Sequence, residues 1–224
     1  MKILITAATP FEITPLETLL ARDFQSLQSG VFIKNELEVH LKITGVGITP
    51  TAFHLGALFA RRTFGLAINA GIAGAFEKNL VIGTVVHVVS ERFGDLGVEE
   101  SDGSLTDVHE LELTGPDESP FEKGELRNPA AETFDFLPKC KGLTVNKVHG
   151  SEASITAIRK KYTVDVESME GAAFFYACLM AKQPFLEIRA ISNYVEPRNR
   201  EAWNLPLAID NLNEVLFEIL QTLA

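Results

Sequence analysis

Val164-Asp165-Val166-Glu167-Ser168-Met169-Glu170-Gly171-Ala172-Ala173 is the stretch whose reading decides the fold. Its β-branched run stops at a carboxylate, passes a Met-Glu-Gly corner and enters an Ala-rich segment, the pattern of a strand feeding a helix. Open α/β sheets bind their ligands at such junctions. A second stretch, Arg189-Ala190-Ile191-Ser192-Asn193, ends the next apolar run. The flanks of Glu167 and Glu170 are apolar and small, so at least one carboxylate needs a partner. A ligand's hydroxyl pair is one candidate. The other is a helix N-terminus beside Glu170, where negative charge is favourable.

Downstream of the junction, 170–182 is predicted as a helix with Ala172, Ala173, Phe174, Ala177 and Met180 buried, 185–191 as the last strand, and 205–223 as a closing amphipathic helix. Upstream, 163–166 leads in as a strand, preceded by a helix over 152–161 and a strand over 142–148. Residues 92–125 are acidic and poor in core residues, which predicts a long surface excursion. Residues 83–90 form a valine-rich buried strand with His87 as a core or edge histidine. The strand at 66–76 runs into tiny side chains around Gly71 and Ile72, where a ligand can meet main-chain amides or two strands can pack closely. Gly45-Val46-Gly47-Ile48-Thr49-Pro50 lacks the third glycine of a dinucleotide fingerprint. Its glycines turn the backbone into a helix over 51–62, whose Ala, Leu and Phe residues read as core.

Strands at 32–34 and 37–44 flank a turn at Asn35-Glu36. At the start, a strand over 3–7 gives way to Glu12 and a helical pattern of Leu16, Leu19 and Leu20. Glu12 is either a first-turn residue favoured by the helix dipole or a carboxylate aimed into a cleft. Strands alternating with helices predict a single domain over 1–224, a three-layer α/β/α sandwich around a central mixed, largely parallel sheet.

Composition narrows the partners. A chain of 224 residues, 46% hydrophobic, suits one large core. A formal net charge of -10 disfavours nonspecific nucleic-acid binding. Cys140 and Cys178 have no metal-ligand spacing and read as reduced and inert. The apolar start at Met1 is too short for a signal peptide, and no run reaches membrane-spanning length, so a cytoplasmic protein is expected.

Met1-Lys2-Ile3 through Glu12, Thr44 to Gly47, Asn69 to Gly74, Val166 to Gly171 and Arg189 to Asn193 together resemble the purine nucleoside phosphorylase and nucleosidase superfamily. The resemblance is to its hydrolase branch, and most of all to futalosine hydrolases, through the Glu-Ser-Met-Glu-Gly-Ala-Ala-Phe junction and Asn193 to Asn204. It implies cleavage of a ribosyl C–N bond, with Glu12 activating water, Asn193 receiving the leaving base, and Glu170 holding the ribose hydroxyls above Met169. The physics agrees with those roles: an ionised carboxylate only accepts, and bonds to a sugar's hydroxyls strengthen as the ring gains positive charge. Gly71 and Ile72 are the implied main-chain contacts. Val148 and His149 match a region whose main chain lines the base, and His149 is given no catalytic role.

Phosphorylases of the superfamily hold phosphate with an arginine after the first strand and an arginine or serine at the glycine loop. Neither position supplies one here, which makes water the expected nucleophile. Adenine-releasing relatives carry aspartate where this chain has Asn193; an amide donates a hydrogen bond but no proton, which favours hypoxanthine as the leaving base. Arg198 and Trp203, with Arg200 nearby, are candidates for a benzoate on the sugar's 5′ side, or are solvated loop residues. No cofactor and no metal are implied. The resemblance also implies a homodimer or higher homo-oligomer, with 93–102 closing a neighbour's pocket. The competing readings are a methylthioadenosine or adenosylhomocysteine nucleosidase and a nucleoside-binding protein without turnover.

Overall fold

Alternation along the first strand sets the two faces of the molecule, because successive side chains of a strand point to opposite sides. In the computed structural model, which describes residues 1–224, Ile3, Ile5 and Ala7 pack with Leu16, Leu20, Leu212 and Leu216. Leu4, between them, faces Leu55, Phe174, Phe175 and Phe185 on the opposite side.

The elements run β1 (Lys2–Ala7), α1 (Pro10–Asp23), β2 (Gln25–Gln28), β3 (Val31–Lys34), β4 (Leu37–Ile43), α2 (Ile48–Phe59), β5 (Leu66–Ala75), β6 (Val85–Phe93), β7 (Gly97–Glu99), β8 (Leu105–Asp107), β9 (Leu126–Arg127), β10 (Lys139–Thr144), α3 (Glu152–Lys161), β11 (Val166–Ser168), α4 (Gly171–Ala181), β12 (Phe185–Tyr194) and α5 (Leu205–Leu223). The main sheet has the order β11-β10-β6-β12-β5-β1-β4-β3-β2, with β9 on β6, and β7 and β8 form a separate hairpin. Helices α1 and α5 cover one face; α2 and α4 cover the other. This is the α/β architecture expected, with helices flanking a mixed sheet. The run β4-β1-β5-β12 is parallel. The hairpins β2-β3-β4 and the β12–β6 pair are antiparallel, so the sheet is more mixed than predicted.

One closure was not foreseen. β11 pairs in parallel with β10 and antiparallel with the far end of β5, Val166 opposite Ala75 and Glu167 opposite Gly74. Strands β5, β12, β6, β10 and β11 therefore close on themselves, which brings the junction at Glu167–Glu170 against the glycine-bearing end of β5.

Other differences have local causes. The helix predicted over 51–62 begins three residues earlier, at Ile48, because Pro50 lies in its first turn, where a missing N–H costs nothing. Gly47 makes the entry with φ +95°, a left-handed conformation that suits glycine. This helix buries only Thr51 and Leu55. Phe53 is 70% exposed, so its apolar residues are not the core they were read as. α4 buries Ala172, Ala173, Phe174, Phe175 and Cys178, but Met180, predicted inside, is 57% exposed. The polar strand β2 carries no alternation signal and was missed. No helix is long and apolar enough to cross a membrane.

Candidate active site

Glu12 sits in the first turn of α1 and is buried. Its Oε2 accepts from the backbone N–H and hydroxyl of Thr9, at 2.9 and 3.0 Å, and its Oε1 accepts from Ile72 N–H at 3.3 Å. Glu170 is the N-cap of α4 and equally buried. Its Oε1 accepts from Gly47 N–H at 3.0 Å, and Oε2 lies 3.5 Å from Nη1 of Arg189. Arg189 is opposite Gly71 in the β12–β5 register. A Cβ at position 71 would lie 2.2 Å from Arg189 Nη1 and 3.0 Å from Glu12 Oε1, so Gly71 is what lets the guanidinium reach between the two glutamates. The two carboxylates named from sequence therefore converge on one guanidinium, that of Arg189.

Arg189 has no role in the sequence reading. Its Nε donates to Glu187 Oε1 at 2.6 Å, while Nη2 has no partner. Glu91 is buried beside them; its Oε2 accepts from Thr144 Oγ1 at 2.8 Å and its Oε1 has no partner. Burial pushes the Glu91 carboxyl well above the ordinary range, and the neighbouring Glu187 adds to the rise. Burial also raises Glu187, offset in part by Arg189. Glu12 is raised by burial, lowered by Arg189 and raised again by Glu170. A carboxylate so placed is a better proton acceptor than an exposed one, and it is still held ionisable by the guanidinium.

A cavity adjoins the end of β5. It is lined by Gly74, Val148, His149, Glu167, Asn193 and Trp203, with Arg198 at its edge. The Asn193 amide is fixed: Ser192 Oγ donates to Oδ1 at 2.8 Å, and Nδ2 donates to the Tyr194 carbonyl at 3.0 Å. A carbonyl only accepts, so the nitrogen must face Tyr194, and its second hydrogen remains available as a donor. Glu167 takes a bond from His149 N–H at 3.0 Å and another from the His149 ring at Nδ1. The partner that sequence demanded for one of the junction glutamates is thus His149 for Glu167, while Glu170 has Gly47 and Arg189. Val148 is partly buried, as is Met169 between the two glutamates. Arg198 lies over the Trp203 ring, 5.3 Å from its centroid. These two meet at the Asn193 cavity, not at the Glu12 end, and exposed Arg200 does not line it.

A family model described as the Phosphorylase superfamily matches residues 2–221. The chain is 32% identical over 158 residues to a futalosine hydrolase of Streptomyces coelicolor, a match that covers 69% of this chain and 65% of that protein. It is 31% identical to the futalosine hydrolase of Acidothermus cellulolyticus, over 83% of this chain and 76% of that one. A 5'-methylthioadenosine/S-adenosylhomocysteine nucleosidase of Psychromonas ingrahamii is 27% identical, with both chains covered in full. Among solved structures, the native futalosine hydrolase of Helicobacter pylori strain 26695 superposes with a TM-score of 0.78 at 16% identity, covering 99% of this chain and 98% of that chain. The chain belongs to the phosphorylase superfamily. Within it, its relatives place it in the branch of N-glycosyl hydrolases, the nucleosidases.

Proposed function

We propose that the chain hydrolyses the N-glycosidic bond of futalosine and releases hypoxanthine, a step of menaquinone biosynthesis, in the cytoplasm. Glu12 takes a proton from water as the oxygen attacks the anomeric carbon. The electron pair of the C–N bond leaves with the base, which Asn193 receives through a hydrogen bond. Glu170 accepts from the ribose hydroxyls, and these bonds tighten as the ring becomes cationic. Met169 lies under the sugar, and the Gly71-Ile72 main chain borders it. Val148, Arg198 and Trp203 contact the base end.

The observation that carries the choice of base is the fixed Asn193 amide, which offers a donor to O6 or N7 of a 6-oxopurine and has no proton to give an adenine anion. Water as nucleophile is supported by the charge around Arg189. Although its Nη2 is unpaired, this one guanidinium already faces Glu187, Glu170 and Glu12, so a phosphate would meet three carboxylates against a single cation. A second reading, an adenine-releasing nucleosidase, is favoured by the relative that covers the whole chain. Incubation with futalosine in phosphate-free buffer should release hypoxanthine, with adenine nucleosides run alongside as poorer substrates. Turnover only on adding phosphate, or faster release of adenine, would overturn the proposal. Asn193→Asp should shift the ratio of kcat/KM toward adenine nucleosides by about tenfold or more.

The protein works as a homodimer. Val46 and Phe53 at α2 and Met180 on α4 expose apolar surface on one side of the sheet, which a second copy would cover.

A further inference from the structure

We infer that His149, held by Glu167, is a specificity-determining residue that accepts a hydrogen bond from the N1–H of a 6-oxopurine bound beside Asn193. The inference rests on the nucleosidase reading above and names how that site tells one purine from another. Glu167 is buried and both its oxygens are occupied, Oε1 by the His149 backbone N–H at 3.0 Å and Oε2 by the ring at Nδ1. A carboxylate can only accept, so the proton of the neutral ring is drawn to Nδ1, and Nε2 carries a lone pair. That Nε2 makes no hydrogen bond within the protein, and the ring, with 15% of its side chain exposed, borders the same cavity as Asn193.

The cavity is therefore bordered by a residue with a free donor, Asn193, and one with a free acceptor, His149. The edge of hypoxanthine has the complementary pair, the O6 acceptor next to the N1–H donor. Adenine puts a lone pair at N1, against the lone pair of Nε2. A site whose buried polar groups are paired by one base and left unpaired by another discriminates between them.

Titration of the protein with hypoxanthine and with adenine tests this. The wild type should bind hypoxanthine about tenfold or more tightly than adenine, the size of one to two neutral hydrogen bonds. Glu167→Gln is the decisive variant. Its amide carbonyl can keep the His149 N–H, while its NH2 faces Nδ1 and drives the ring proton to Nε2. The ratio of the two affinities should then fall about tenfold or more, with adenine binding tightened. If both bases weaken equally, Glu167 and His149 are only scaffold and the inference is overturned. Should that variant unfold, His149→Phe keeps the ring shape without its nitrogens, and it should weaken hypoxanthine about tenfold without weakening adenine; an unchanged ratio overturns the inference. Equal wild-type affinity for the two bases, in a protein that still cleaves nucleosides, overturns this inference alone. Loss of the nucleosidase reading has a different signature, no base bound and no nucleoside cleaved, and it takes this inference with it.

Discussion

Arg189 is the side chain on which the chemistry at Glu12 depends. It is fully buried, and its guanidinium faces Glu187, Glu170 and Glu12, so its positive charge is what holds three buried carboxylates together. Glu12→Gln keeps the shape and, with its one oxygen toward Thr9, the bonds from Thr9, but it turns an amide NH2 toward Ile72 N–H and cannot take a proton. Its kcat should fall about 10²–10⁴-fold with little change in KM, read by steady-state hydrolysis of futalosine. The pH dependence follows from the same charges. As the proposed base Glu12 works only when ionised, and burial holds its carboxyl above the ordinary range, so kcat/KM should fall on acidification at a pH higher than a free carboxylate would give. Arg189 lowers that value. Removing Arg189 and Glu187 together, as Arg189→Met with Glu187→Gln, takes out the shortest ion pair as a unit and leaves Glu12 beside Glu170 without the guanidinium. The acid limb of the profile should then move to higher pH; a limb that stays in place or moves down removes Arg189 from the control of Glu12.

At the scale of elements, the strands β6, β10 and β12 carry a burden that their hydrophobic pattern conceals. Glu91 and Glu187 lie where a Cβ on Gly171 would come 2.2 Å from Glu91 Oε1 and 2.7 Å from Glu187 Oε1, so two acids crowd one point. The folded state raises the Glu91 carboxyl above its unfolded value. Ionisation is then easier in the unfolded chain, and stability present below the ordinary carboxylate range is lost as pH rises toward the raised value. Glu91→Gln should show no such loss. Its Tm advantage over the wild type should grow from pH 5 to pH 8, by about 2–4 °C for each 1 kcal/mol removed, as measured by thermal unfolding across that range. An advantage that shrinks with rising pH would reverse the assignment. The element boundaries were legible where caps and periodicity agreed. α3 starts at Ser151, whose side chain accepts from Ser154 N–H, and α5 starts at Asn204 with a proline behind it; both helices span the residues predicted. The closure of β11 onto β5 was not legible, because Val166 and Glu167 find Ala75 and Gly74 only through the curl of the sheet. Glu12, Glu170 and Asn193 were named in advance. His149 as the partner of Glu167 was not, since two residues on separate loops and strands carry no shared period. Arg189 did leave a signal: Glu187 and Arg189 alternate on one side of an otherwise apolar strand, and a charge there must be paired.

The whole molecule leaves apolar surface that its own helices do not cover. α2 and α4 pack beside each other on one face of the sheet, and Val46 before α2, Phe53 on it and Met180 on α4 stay exposed while Leu55 and Cys178 face inward. Summed in water, such surface costs about 25 cal/mol per Å², and a second copy burying it is the arrangement that relieves the cost symmetrically. A net charge of -10 does not oppose this, because charge on the remaining surface is screened over about 8 Å at physiological salt. Phe53→Lys puts a cation on the most exposed of these apolar residues, so it should leave the fold and Tm nearly unchanged. In light scattering the wild type should run at twice the monomer mass and the variant at the monomer mass. If dimer formation also brings residues 93–102 against a neighbour's pocket, KM for futalosine should rise in the variant more than kcat falls, because the missing loop closes the site rather than performing the proton transfer. A variant that stays dimeric moves the interface elsewhere, and a monomer with unchanged KM separates pairing from closure of the pocket.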